Sequence, residues 1–342
     1  MSDMTRAASD PRRQRDVVTA ATRDGILLPV IDVTDPRFAV ADDADNLCRL
    51  LDASGREERR YRRVPKFVMR WMVKAATRRS RLMQAMFSGD ADFLDGITTY
   101  VMKLGADNLP PPYDTPTDRR MAASPQLTLL RLRTQQVARL VADGIAPELA
   151  ARATAPLHLI NIAGGPAVDS LNTLIILKHR DAGLVRRPII IHVLDSDEAG
   201  PFFGANALAA LTADGRPLAG LDVTFDHRAY DWNATALLEA LLRDLAPQGA
   251  IIAASSEGGL FEYGSDGAIV ANLTALRVGG VRSVAGSVTT DDESRRRMVT
   301  ASRFKLVPRG LEGFTPLAAQ AGYRVAASAP ARLSDQVLLQ PA

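Results

Sequence analysis

Residues 157–169 read LHLINIAGGPAVD, an apolar run that leads directly into a turn of small residues. The run has the length of one buried strand, and a helix is predicted over residues 168–180. Glycine has no Cβ, so Gly164 and Gly165 let the backbone of such a turn approach a ligand closely. The helix that follows offers unpaired N–H groups to the same ligand. The stretch predicts a nucleotide-binding turn, and a tight strand-to-helix turn without a ligand is the alternative interpretation of the glycine pair alone.

The chain on the C-terminal side of this turn keeps the same texture, with short apolar runs separated by helical stretches. The predicted strands are 157–162, 188–194, 221–225, 250–254, 281–284, either 304–307 or 323–326, and 336–339. The predicted helices lie near 168–180, 199–211, 234–246 and 311–321. This alternation predicts an α/β fold, Rossmann-like, with a mostly parallel seven-stranded sheet and an antiparallel hairpin at its edge.

The chain before the turn is predicted to be largely helical. Apolar residues recur at helical spacing over 65–87, 93–104 and 124–144, and the prolines of residues 109–116 mark a connector between helices. We expect three regions: a disordered or irregular tail over 1–44, a helical domain over 45–150 that caps an acceptor site or dimerises, and a Rossmann-like domain over 151–342.

Composition restricts the class of protein. The chain has 342 residues, a net charge of +3, 46% hydrophobic residues, four histidines and one cysteine. The single cysteine, Cys48, excludes an internal disulfide and a cysteine-based zinc cluster, and no metal site is predicted. No apolar run reaches the roughly 18 residues of a membrane span, and the first 24 residues lack the apolar core of a secretion signal. We therefore expect a cytoplasmic protein without a membrane partner.

Basic residues concentrate in one segment. Residues 56–81 contain eleven Lys or Arg against only Glu57 and Glu58. Such a concentration is able to bind a phosphate-bearing partner by counterion release. We favour a solvated helix face, because no nucleic-acid-binding motif accompanies the charges.

Polar residues follow two further predicted strands. Asp195 and Ser196 come directly after 188–194, and Asp226 and His227 follow 221–225. Open α/β sheets bind ligands at the carboxyl edge of their strands, where a carboxylate is able to accept both ribose hydroxyls of a nucleotide. A turn-forming acid and a surface histidine are the alternative interpretations of Asp195 and His227.

Together these residues resemble the motifs of class I S-adenosylmethionine-dependent methyltransferases. In this resemblance Asn161 stands where the family usually has an acid, and Ala163 and Ala167 stand where glycine is common, so weaker binding or an altered ligand is implied. Gly164 and Gly165 then form the glycine-rich turn, and Asp195 with Ser196 holds the ribose. Asp226 holds the adenine amino group, with His227 packed beside the ring. The 34 residues from Asn161 to Asp195 imply an extended first helix.

The loop after the fourth strand faces the expected position of the methyl acceptor. Two residues are candidates to deprotonate or orient an acceptor hydroxyl or amine: Glu257 in that loop, and Tyr230. The sequence thus predicts methyl transfer from S-adenosyl-L-methionine to a small-molecule acceptor, by an enzyme that dimerises through its N-terminal helices. Three alternatives stay open: a nucleic-acid methyltransferase that uses the 56–81 face, a catalytically inactive Rossmann-like binding protein, and an NAD-dependent dehydrogenase.

Overall fold

The computed structural model describes residues 17–88, 94–293, 295, 296, 299, 304–331 and 333–342. In chain order the strands β1–β9 are Thr19–Ala21, Leu27–Pro29, Leu157–Ile162, Ile189–Leu194, Val223–Arg228, Ile251–Ser256, Ser283–Thr289, Tyr323–Pro330 and Ser334–Pro341. In chain order the helices α1–α12 are Ala44–Arg62, Lys66–Thr77, Arg81–Ser88, Gly96–Met102, Pro116–Ala122, Pro125–Ala151, Val168–Arg180, Ala199–Thr212, Ala236–Leu245, Leu260–Tyr263, Asp266–Val278 and Gly310–Gln320.

Seven of these strands form one sheet in the order β5-β4-β3-β6-β7-β9-β8. Strands β3 to β7 are parallel, whereas β9 pairs antiparallel with both β7 and β8. The central strand β3 is buried along its whole length, as expected for a parallel sheet covered on both faces. The predicted fold class is confirmed. The last strand inserts antiparallel between its neighbours, which distinguishes the sheet from the all-parallel dinucleotide-binding order.

Several predicted elements differ from the structure. Residues 304–307 are not a strand, and the paired strand in this part of the chain is β8. The helix predicted over 65–87 is interrupted, because the Ser80 hydroxyl accepts a hydrogen bond from the N–H of Met83 and starts the separate helix α3. Helices α1, α5, α10 and α11 were not predicted.

The segment 17–44 is packed, although the sequence predicts an irregular tail up to residue 44. Strands β1 and β2 form a hairpin, and the side chains of Leu28 and Val30 are buried in the same apolar cluster as the central sheet. The Tyr100 hydroxyl accepts a hydrogen bond from the N–H of Ile31 and donates one to the carbonyl of Pro29. Alternating apolar residues here were missed because the segment is short and rich in aspartate. Residues 1–16 lie outside the described residues.

The predicted boundary near residue 150 does not separate two cores. Helix α6 ends at Ala151 and packs against α7 and the sheet, so one apolar cluster contains residues from both sides of the boundary. The first helix of the sheet region, α7, has an ordinary length of 13 residues. The long spacing to Asp195 comes instead from an added 3-10 turn, Ala182–Val185.

Candidate functional site

A cavity of about 680 Å³ lies at the carboxyl edge of the parallel strands. Its floor is formed by the loops that follow four neighbouring strands, and its wall by helices α4 and α6. The loop residues that line it are Ala163–Pro166 after β3, Asp195–Asp197 after β4, Tyr230–Asn233 after β5 and Glu257–Gly259 after β6. The helical wall contributes Tyr100, Lys103, Leu127, Leu130 and Arg133. The cavity has the position and size typical of a ligand site in an open α/β sheet.

The turn after β3 is tightly constrained. A Cβ added to Gly164 would lie 2.1 Å from Oδ1 of Asn161, so no side chain fits there. Gly165 takes φ of 55°, and so do two non-glycine residues, Ala163 at 55° and Ala167 at 53°. Left-handed alanine costs roughly 1–2 kcal/mol, and such strain concentrates at functional sites. The turn therefore keeps a glycine-type backbone at positions where the sequence has alanine.

Neighbouring glycines make room for this turn. A Cβ on Gly259 would lie 2.9 Å from Cβ of Ala163, and a Cβ on Gly200 would lie 2.9 Å from Cα of Gly165. The loop after β6 and the first turn of α8 thus approach the turn at backbone distance. Gly259 thus accommodates the methyl group of Ala163.

Asn161 lies beneath the turn and does not line the cavity. Its side chain is fully buried, and Nδ2 donates to Oδ1 of Asp169 at 2.7 Å and to the hydroxyls of Ser170 and Ser255 at 3.2 Å. Within the described residues Oδ1 of Asn161 and Oδ2 of Asp169 have no hydrogen-bond partner. Burial raises the pKa of Asp169, while the hydrogen bond from Ser255 opposes that shift. Sequence reasoning missed Asp169, the buried acid that accepts the hydrogen bond from Asn161.

Asp195 lines the cavity, as predicted, and also organises its loops. Oδ2 accepts the N–H of Gly165 and Oδ1 accepts the N–H of Asp197, each at 2.8 Å. Burial is the largest influence and raises the pKa of Asp195, whereas these two N–H groups act in the opposite direction. Ser196 lines the cavity beside it. Each carboxylate oxygen of Asp195 retains a second lone pair for a ligand hydroxyl.

Asp226 and His227 do not line the cavity. Strand β5 continues to Arg228, so Asp226 lies inside the strand, where Oδ2 meets Nδ1 of His192 at 3.0 Å and accepts from Nε of Arg228 at 2.9 Å. His227 contacts the backbone carbonyl of Asp195 at 3.0 Å. The predicted strand ended too early, at Phe225, and this error placed Asp226 in the loop after the strand instead of inside the strand. The residues that reach the cavity from this loop are Tyr230–Asn233.

Glu257 is fixed in a buried ion cluster, which we call the cavity cluster: Lys103, Arg133, Glu257 and Glu262. Oε1 of Glu257 lies 2.5 Å from Nε of Arg133, Oε2 accepts from Lys103, and Arg133 also contacts Glu262 at 3.1 Å. Burial alone would raise the pKa of Glu257, but the charges of Arg133 and Lys103 outweigh it and hold the pKa at about 2. A carboxylate of this pKa is a poor general base at neutral pH, so the predicted proton-accepting role is not supported.

Tyr230 has its hydroxyl committed to the fold. The hydroxyl donates to Oδ1 of Asn272 at 2.6 Å, and Nδ2 of Asn272 donates to the carbonyl of Trp232 at 2.7 Å. Burial raises the pKa of Tyr230 well above its usual value. The tyrosine ring lines the cavity, but its hydroxyl positions the 230–233 loop rather than an acceptor.

Among the described residues, no group of three or more His, Cys, Asp or Glu side chains is placed to hold a metal ion. No helix in the described part of the chain combines the length and apolar character needed to cross a membrane.

Comparison with known proteins agrees with the fold. No protein-family profile and no curated protein matches the chain. A solved structure described as a possible exported protein from Bordetella parapertussis shares 16% identity and a TM-score of 0.54, over 90% of this chain and 99% of that one. This likeness shows the same fold over nearly the whole molecule.

Other similar structures are methyltransferases. An O-methyltransferase from neocarzinostatin biosynthesis, in complex with S-adenosylmethionine and a naphthoic acid, shares 19% identity and a TM-score of 0.37, over 64% of this chain. This chain spans only 57% of that protein's length. An O-methyltransferase family protein from Burkholderia thailandensis shares 13% identity and a TM-score of 0.40, over 97% of this chain and 82% of that one.

Proposed function

We propose that the chain transfers a methyl group from S-adenosylmethionine to a small-molecule acceptor bound in the cavity. The observation that carries this proposal is the cavity itself, where a constrained glycine turn, a buried carboxylate and an apolar helical wall meet at the carboxyl edge of the sheet. The sheet order, with its last strand antiparallel between two neighbours, supports this donor rather than a nicotinamide.

The residues present fit such a donor. Gly164 and Gly165 present backbone to the cavity, because the places of their side chains are taken by Asn161 and Gly96. Asp195 has lone pairs free for two ribose hydroxyls. We assign the adenine to the loop Tyr230–Asn233 in place of Asp226. When bound, the donor supplies an electrophilic methyl group for direct displacement.

The protein's contribution is position and exclusion of water. Glu257 is ionised and paired, and the Tyr230 hydroxyl is tied to Asn272, so neither is offered as a proton acceptor. The apolar side chains of Leu127 and Leu130 on α6 orient an acceptor towards the turn and desolvate it. An in-line displacement needs mainly positioning, so a dedicated base is not required.

Calorimetric binding of S-adenosylmethionine, S-adenosylhomocysteine and NADH tests the donor. We expect both adenosyl ligands to bind, with an affinity at least about tenfold lower in Asp195→Asn and unchanged in the matched variant Asp226→Asn. An equal loss of affinity in both variants would contradict the assignment of Asp195 to the donor site, and binding of NADH alone would favour a dehydrogenase. Thermal unfolding of each variant without ligand controls for folding.

Formation of S-adenosylhomocysteine with a panel of apolar hydroxylated and amino acceptors tests catalysis. Donor binding without product from any acceptor would favour the inactive binding protein, an alternative that the strained Ala163 and Ala167 support. The cytoplasmic location and the homodimer stay predictions.

A further inference from the structure

An exposed surface on α1, α2 and the start of α3 combines aromatic and basic side chains. Four of the seven large apolar side chains exposed in the described residues lie within residues 61–72: Tyr61 at 46%, Phe67 at 76%, Trp71 at 70% and Met72 at 42%. Exposed cations surround them: Arg59, Arg60, Arg62, Arg63, Lys74, Arg78, Arg79 and Arg81. We call these side chains the aromatic-basic patch. From Arg59 to Ser88 the sequence has no acidic residue.

The patch has a regular geometry on α2. Phe67, Trp71, Lys74 and Arg78 follow one another at helical spacing, so they form one outward stripe, and all four are exposed. Water-exposed tryptophan and phenylalanine in such a row are unfavourable unless something covers them, because each ring carries a large apolar area.

The patch is attached firmly to the fold. Leu82 in α3 is fully buried, and its N–H donates to Oδ1 of Asp118 at 3.0 Å. The Ser80 hydroxyl donates to the same oxygen, and Asp118 in turn belongs to the capping box of α5 with Thr115. The stripe is therefore presented by anchored helices.

We propose that the aromatic-basic patch binds the surface of an anionic phospholipid bilayer. Cationic side chains are attracted to anionic headgroups, while tryptophan, phenylalanine and methionine enter the boundary between headgroups and acyl chains. The sequence-based expectation of no membrane partner rested on the lack of a spanning segment. Binding at the interface needs no such segment.

Two other occupants fit less well. A second copy of this chain in a twofold interface would place the cations of the patch against the same cations. Single-stranded nucleic acid stacks its bases on aromatic rings inside a basic groove, but the cavity at the carboxyl edge of the sheet includes no residue from 59 to 88. Charge complementarity and the exposed rings together favour lipid.

Vesicle co-sedimentation of the full chain tests the proposal. Vesicles of phosphatidylcholine with phosphatidylglycerol are compared with vesicles of phosphatidylcholine alone, at low and high salt. We expect partition onto the anionic vesicles only, and a clear loss at high salt. Phe67→Ser/Trp71→Ser should lower the partition at least about tenfold, whereas Phe202→Ser/Val278→Ser, which replaces exposed apolar residues elsewhere, should leave it unchanged.

Charge variants and fluorescence complete the test. Arg78→Glu/Arg79→Glu should abolish the partition, and Arg216→Glu/Arg243→Glu, with the same change in net charge, should retain it. In a Trp232→Phe background, the emission of Trp71 should shift to shorter wavelength on addition of anionic vesicles. Absence of partition by the wild-type chain, or equal losses in both members of a pair, would overturn the proposal. The proposal would also be overturned if the wild-type protein did not bind vesicles but formed a dimer or an RNA complex that only the patch variants disrupted.

Discussion

Two clusters of charged and titratable groups, one buried and one partly exposed, differ in how the chain assembles them. In the cavity cluster, Lys103 at the end of α4 and Arg133 in α6 both contact Glu257, and Arg133 also contacts Glu262. Glu257 lies 154 residues from Lys103 and 124 residues from Arg133 in the sequence. The second, which we call the histidine cluster, consists of His158, His192, Asp226 and Arg228 on strands β3, β4 and β5. In this cluster Nδ1 of His158 lies 2.9 Å from Nε2 of His192, and Nδ1 of His192 lies 3.0 Å from Oδ2 of Asp226.

The histidine cluster is a product of strand register. His158, His192 and Asp226 are spaced by 34 residues each, and His192 pairs directly with Asp226 in the parallel sheet. The two imidazole rings stack with an interplanar angle of 7°. The cavity cluster, in contrast, fastens the helical wall to the loop after β6. The histidine cluster, whose members are equally spaced in the sequence, therefore lies away from the large cavity. The cavity cluster lines that cavity, and its members have no regular spacing in the sequence.

The largest expected effect comes from removing one cation of the cavity cluster. Arg133→Met leaves Glu257 and Glu262 buried without their shared partner, which should lower the free energy of unfolding by about 3–5 kcal/mol. Arg228→Met is the matched change in the histidine cluster, and its side chain is 40% exposed, so the loss should stay below about 1 kcal/mol. Urea denaturation measures both. Similar losses in the two variants would remove the energetic contrast between the clusters.

The next largest effect is expected in the histidine cluster, in the dependence of the free energy of unfolding on pH. Burial, with a smaller effect of His192, lowers the pKa of His158 from 6.5 to about 4. The unfolded chain therefore takes up a proton at a pH where the folded protein does not. The contribution of His158 is complete above pH 6.5, and the free energy of unfolding should fall by about 3 kcal/mol as the pH drops towards 4.

Urea denaturation across this pH range, with His158→Asn and the exposed surface variant His179→Asn, checks the assignment. The slope of stability against pH should flatten in His158→Asn and persist in His179→Asn. An unchanged slope in His158→Asn would assign the acid sensitivity to another group.

A third test addresses the turn beside the cavity cluster. Gly164→Ala forces a methyl group against the Asn161 amide, which is fully buried, and should cost about 1–3 kcal/mol in the free energy of unfolding. Gly267→Ala in α11 meets no atom closer than 4.0 Å and should be neutral or slightly stabilising. Thermal unfolding of both variants decides the point. A tolerated Gly164→Ala would show that the turn is less constrained than the geometry indicates.

The smallest expected effect concerns the strained alanine. Ala163→Gly relieves a left-handed backbone and should raise the free energy of unfolding by less than about 1 kcal/mol, since the added flexibility of the unfolded chain offsets part of the gain. Ala209→Gly, at an exposed position in α8, should lower it by about 0.5–1 kcal/mol. Urea denaturation should therefore show a higher free energy of unfolding for Ala163→Gly and a lower one for Ala209→Gly. Destabilisation of equal size by both substitutions would argue against strain at Ala163.

The sequence by itself determined the α/β alternation, the seven-stranded sheet, the turn at Gly164 and Gly165, and the place of Asp195 at the end of β4. These features follow from local patterns, because strand periodicity, glycine geometry and the carboxyl edge of a sheet depend on neighbouring residues. The sequence placed Asp226 wrongly, since a shift of a few residues at a strand end moves a side chain from the edge into the sheet.

Only the tertiary structure decided which groups meet. It brought Lys103 and Arg133 to Glu257, which made that carboxylate an ion-pair partner rather than a base, and it buried apolar side chains of residues 20–38 in the common core. The physical reason is that contacts between distant residues depend on how whole elements pack. Burial and opposite charge, which set the pKa of Glu257, exist only after that packing.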